Sequence, residues 1–200
     1  MAQQGPGPIE FYEGAIQQML PILGAVKADQ LSGATPCSEW NVQNLINHNI
    51  KVAEFIYDVI AETGTADPSV MRAVNDPLPE EGAEAAFQAA TARVLEAIKA
   101  SGKLEKVLDT PFGQMPAGHL LMIPFGDIVL HKWDLAKATD QNTSIDSALA
   151  EACFAAMSPG IGKARDGGFY GREVLVPLKA SIQDKLLGLS GRQPLFSLNG

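Results

Sequence analysis

A carboxylate and a histidine one helical turn apart, Asp127 and His131, interrupt the apolar stretch IPFGDIVLHKWDLAKA. A helix with this pattern buries that stripe, and a buried carboxylate is costly unless it is paired or coordinated. The fold therefore has to bring a partner to the stripe. Of three histidines in the chain, a second, His48, lies on the apolar seam Leu45, His48, Val52, Phe55, Val59. Steps of three and four along that seam predict a helix with His48 turned to the core. Packing the two helices face to face answers both demands.

Residues four apart on a helix differ in direction by about 40°, so Asp127 and His131 project from one face. With His48 from the facing helix they make a three-ligand set for a divalent metal, with positions left for water or substrate. Zinc suits such a set, and two histidines with one carboxylate also suit non-haem iron, so the ligands alone do not name the ion. Plainer readings compete. A histidine on an apolar face is more often a core residue bonded to a carbonyl, and Asp127 and His131 could form a hydrogen-bonded pair without metal. Asp134, one turn beyond His131, is an alternative ligand, an acceptor behind a ligand histidine, a general base, or a partner for Lys137. His119 reads as surface or crossover packing, and Trp40 and Trp133 as apolar anchors before pocket walls. Cys37 reads as a small buried hydrophobe ahead of a reactive thiol.

The rest of the composition narrows the class. The chain has 200 residues, 46% hydrophobic and 19% charged, enough for one domain with an appended segment. A formal charge of −8 argues against a sequence-independent nucleic-acid binder, which needs a basic face. No apolar run approaches the roughly 20 residues of a membrane span, and the opening MAQQGPGPIEF lacks the pattern of a secretory signal. Two cysteines without CxxC spacing, Cys37 and Cys153, read as reduced thiols of a cytoplasmic protein.

Helical periodicity dominates the first three quarters. A first helix is expected over about 9–31, with Pro21 kinking or breaking it. A second runs from an Asn41 cap to about Glu62, and a third from Pro79 or Glu80 to about Ala100. After a crossover with a short extended piece near Val107, a fourth runs from about Ala117 to Thr139, bent at Pro124 and Gly126. A fifth is capped by Ser144. Beyond Met157 the chain turns glycine-rich, with a β-like run at Val174–Val176 and a last helix over about 179–189. The expected architecture is all-α: a metal-binding bundle over 1–157 and an irregular C-terminal extension over 158–200 packed on it. Arg165, Arg172, Phe169 and Tyr170 in that extension are candidate pocket-wall residues, although loop arginines are usually solvated.

Two long motifs extend this reading. TPCSEWNVQNLINH resembles the TPCxxWxVx(D/N)LxxH opening of the DinB-like, mycothiol-dependent maleylpyruvate isomerase-type superfamily, and DIVLHKWDLAKATDQ resembles its DxxxHxWDLAxATGQ element. GREVLVPLKASIQDKLLGLSGRQP is similar to the closing tail of the same group. The resemblance implies a DinB-like four-helix bundle with metal ligands at His48, Asp127 and His131. Better-known isomerases of the group carry glutamate at the position of Asp127, and many other members histidine; the group's glycine is here Asp140. Characterised members include transferases and isomerases that activate a low-molecular-weight thiol, such as mycothiol or bacillithiol, on zinc or a similar ion.

The leading expectation is thus a metal-dependent thiol transferase or isomerase acting on a small electrophilic molecule, with a homodimer compatible with the fold. Metal-assisted hydrolysis, with Asp134 as the candidate base, is the second reading. A non-enzymatic metal- or small-ligand-binding protein is the third.

Overall fold

The structure is a computed structural model that describes residues 5–64, 66–100 and 102–194. Helix α1 (Pro8–Gly24) opens with Pro8 at its first position, and the Glu10 carboxylate accepts the Gly7 N–H at 3.0 Å. Of the kink or break expected at Pro21, the break does not occur. The helix passes through the proline and ends one turn later, and a separate 3-10 turn (Ala28–Gln30) follows.

Helix α2 (Val42–Ala61) begins at the expected cap, where Asn41 and Asn44 exchange side-chain-to-backbone hydrogen bonds at 2.8 and 3.2 Å. Such a cap is worth about 1 kcal/mol. One face of α2 pins the following loop. Asn44 and Asn47 donate to the Val74 carbonyl, Asn47 also donates to the Asp76 carbonyl, and Lys51 pairs with Asp76 at 3.3 Å. These bonds fix the 3-10 turn Pro68–Arg72 close to the middle of α2.

Helix α3 (Ala83–Lys99) starts three to four residues later than the acidic segment suggested, with Gly82 at its cap. The crossover holds two strands where the sequence suggested one extended piece. Strand β1 (Val107–Thr110) pairs antiparallel with β2 (Gly113–Pro116), with Leu108 opposite Met115. Helix α4 (Ala117–Ala138) matches its expected span and is buried on nearly every side. A helix apolar and buried all round is a central one. It packs on α1 and α2, and α3 closes the bundle against α1 and α2. The α4 exit is tied to α1 and the turn after it: Gln30 donates to the Thr139 carbonyl, and Gln141 to that of Ile22.

The chain divides into two compact units, Met1–Thr143 and Ser144–Gly200, one helix earlier than the 157/158 boundary read from the sequence. In the second unit, α5 (Ser147–Met157) is capped by Asp146 rather than Ser144. The Asp146 carboxylate accepts two N–H groups, from Ala148 and Leu149, and so satisfies more of the helix end. A short α6 (Ile161–Asp166) follows, and α7 (Ile182–Leu189) packs on α5. The β-like run Val174–Val176 forms no strand. Its Val174 N–H donates to the Gly188 carbonyl in α7, so a helix supplies the partner that a strand would have. Arg165 bonds the Leu189 carbonyl and lies 3.5 Å from Glu173, which occupies it within its own unit.

Candidate metal centre

Where α2 meets α4, the first unit brings His48, Asp127 and His131 together, with one ligand atom from each within 4.8 Å of the others. The Asp127 carboxylate lies between the rings. Its Oδ2 is 3.0 Å from His48 Nε2 and its Oδ1 is 3.2 Å from His131 Nε2. The two imidazoles meet edge to face with centroids 5.1 Å apart. Both histidines are buried, and the Asp127 side chain keeps 24% of its surface exposed, which leaves one open side.

Behind each ring stands an acceptor. His48 Nδ1 is 2.7 Å from the Met71 carbonyl, and His131 Nδ1 is 2.9 Å from Asp134 Oδ2. A carbonyl can only accept, so the proton of His48 sits on Nδ1, and the Asp134 carboxylate asks the same of His131. The donor set therefore fits a divalent ion: both Nδ1 protons are engaged behind the rings, and two Nε2 atoms and a carboxylate face one another in front. Without an ion, a His131 that donates from both nitrogens to carboxylates is an imidazolium. Burial opposes that charge. The Asp127 charge and the hydrogen bonds with Asp127, Asp134 and Cys37 outweigh burial and hold the His131 pKa well above its ordinary value. Burial likewise opposes ionisation of Asp127, and the two facing histidines outweigh it, holding that carboxyl far below the carboxylate range.

Asp134 is fully buried with its Oδ2 2.9 Å from His131 Nδ1, so it lacks the solvent access a hydrolytic base requires. His119 is exposed and outside the cluster. Two residues that the sequence assigned to packing also stand here. The Trp40 ring lies 4.5 Å from the His48 ring and 6.1 Å from that of His131, and forms a wall over the imidazoles. Cys37 is only partly buried, with Sγ 3.4 Å from Asp134 Oδ2. Both are set by one loop: the Thr35 hydroxyl accepts the Cys37 N–H and lies 2.8 Å from the Trp40 carbonyl. The signal for them was the TPCxxW spacing. Met71 had none, because it contributes a backbone oxygen.

An all-α bundle with a two-histidine, one-carboxylate cluster between two of its helices defines a class of fold. Residues 12–136 match the model of the mycothiol maleylpyruvate isomerase N-terminal domain, and the chain belongs to that family. Two relatives from Mycobacterium tuberculosis, "Uncharacterized protein Rv0738" (strain ATCC 25618 / H37Rv) and "Uncharacterized protein MT0763" (strain CDC 1551 / Oshkosh), are each 34% identical over 143 residues. The match covers 72% of this chain and 73% of each relative. Among solved structures, that of the mycothiol-dependent maleylpyruvate isomerase superposes with a TM-score of 0.71 at 16% identity, covering 93% of this chain and 88% of the other. A point mutant of the mycothiol-dependent maleylpyruvate isomerase gives 0.66 at 15% identity, covering 87% and 76%. At that identity the likeness establishes the shared fold.

Proposed function

We propose that this chain is a divalent-metal-dependent enzyme of the transferase or isomerase kind, in which His48, Asp127 and His131 hold the ion and a low-molecular-weight thiol is activated against a small electrophile. The observation that carries the reading is the commitment of both Nδ1 protons to Met71 and Asp134, which turns two Nε2 atoms and a carboxylate toward one point. When bound, an ion such as zinc supplies a Lewis acid that favours the thiolate form of a thiol. The protein residues do the rest. Met71 and Asp134 fix ring orientation and tautomer, Asp127 supplies the one negative charge facing the rings, and the Trp40 indole keeps water from one side. Mycothiol is the first thiol to test, since the family and both solved structures carry it in their names. Aspartate at 127 in place of the group's glutamate shortens the carboxylate arm by one methylene, which draws its oxygens closer to α4.

The test is elemental analysis and native mass spectrometry of the purified protein, before and after reconstitution with zinc and incubation with mycothiol. The expected result is about one divalent ion per chain, with a thiol adduct that requires the ion. Failure to take up ion on reconstitution would refute the metal reading. Uptake of ion without any thiol affinity would refute the thiol reading and leave the ion site standing.

A further inference from the structure

We infer that Cys37 is a positioning residue, whose thiol holds the Asp134 carboxylate on His131 and thereby fixes the ring that the reading above makes a metal ligand. The inference rests on that reading for its function and on separate geometry for its substance. Two donors converge on one oxygen of Asp134: His131 Nδ1 at 2.9 Å and Cys37 Sγ at 3.4 Å. The terminal torsion of a carboxylate is soft and roughly two-fold, so each donor to it narrows the plane it can take. The thiol reaches the oxygen that His131 uses from another direction and narrows it further. The residues are 97 positions apart, and the contact exists because the Thr35 hydroxyl clamps the Cys37 N–H at 3.1 Å and aims the loop at α4.

A competing use of the same atoms is a second ion held by Cys37, His131 Nδ1 and Asp134, which also lie within 4.8 Å of one another. That use would strip the Nδ1 proton from a ring already committed at Nε2 and turn it into a bridging imidazolate. The hydrogen-bonded arrangement needs no such step, and Asp134, fully buried, is spared the approach of a hydrated ion.

A double-mutant cycle on zinc affinity tests whether Cys37 acts through Asp134. Asp134→Asn should weaken binding by ~10–100-fold, and Cys37→Ala, losing a weaker donor, by about tenfold. In the Asp134→Asn background Cys37→Ala should cost nothing further, and Cys37→Ser in the wild-type background should recover part of the loss. No loss in Cys37→Ala, equal losses in both backgrounds, or a serine variant no better than alanine would each overturn the inference. A stoichiometry of two ions that falls to one in Cys37→Ala would overturn it in favour of the second ion. Should the wild type take up no ion, the metal reading fails by itself, and Cys37 is then judged on the His131 ring by nitrogen-15 NMR of the metal-free protein. The Nδ1–H resonance should be protected from exchange in the wild type and exposed in Cys37→Ala; equal protection in both would overturn the inference.

Discussion

Loading the centre with metal should release a proton, and the number can be worked from the hydrogen bonds. In the metal-free protein both nitrogens of His131 face carboxylates, Asp127 at 3.2 Å and Asp134 at 2.9 Å, which keeps the ring protonated well above its ordinary range. Binding an ion at Nε2 expels the proton there, while the Nδ1 proton stays on Asp134. His131 alone thus gives up one proton per ion, so apparent affinity rises at least about tenfold per pH unit over the range in which the metal-free ring is protonated. Isothermal titration calorimetry with zinc in two buffers of different ionisation enthalpy counts the proton directly. Asp134→Asn removes one of the carboxylates that hold the ring charged, and should move the pH-dependent limb to lower pH. A count of zero at pH 7, with affinity flat from pH 6 to 8, would refute the imidazolium and the argument built on both nitrogens being donors. Stability of the metal-free protein follows the same logic. The raised His131 contributes fully below its unfolded pKa of ~6.5, and its contribution is lost as pH rises through the folded value. The depressed Asp127 contributes fully above ~3.9, and its contribution is lost as pH falls through its own folded value.

Three further outcomes are expected. Asp127→Asn should abolish tight zinc binding while the helical circular dichroism persists, because packing and not the ion supplies the burial; collapse of that signal would show that metal and folding are inseparable. Asp140 occupies the left-handed region at φ 55° just past α4, where glycine is free of strain and where a negative charge opposes the helix dipole. Asp140→Gly should therefore stabilise the protein by about 1 kcal/mol, against a loss in Asp140→Ala, as read by thermal melting. The Tyr12 hydroxyl is fully buried without a hydrogen-bond partner among the described residues, and burial pushes its pKa up, so Tyr12→Phe should leave stability unchanged or raise it by ~1 kcal/mol in urea unfolding. A clear loss in that variant would reveal a partner for the hydroxyl.

What the sequence made legible was local or repeated. The Asn41 cap, the seam through His48 and the span of α4 follow from periodicity and capping chemistry, and the structure brings His48, Asp127 and His131 to one place. Less legible were features decided by competition or by distance. Ser144 and Asp146 both have capping side chains, and only the folded backbone shows that the aspartate reaches two N–H groups. Strand β2, GQMP, has neither alternation nor β-branched residues and exists through its pairing with β1. Cys37 has the composition of a packing residue, and its true neighbour is 97 positions away. The glycine of the group's ATGQ element becomes intelligible from this chain's departure, since Asp140 is one of two non-glycine residues with positive φ among the described residues.

The sequence separation across the centre carries a mechanical consequence. His48 and Asp127 are 79 residues apart, and the segment between them contains all of α3 and the β-hairpin. An ion shared by α2 and α4 would bind only where the folded chain has closed that long loop, so it would stabilise the folded state by mass action. At about 1,000 times its Kd such an ion is worth ~4.1 kcal/mol. A protein with two reduced cysteines would gain a staple that a chelator can remove, and the toughness of its first unit would be set by metal supply rather than by oxidation.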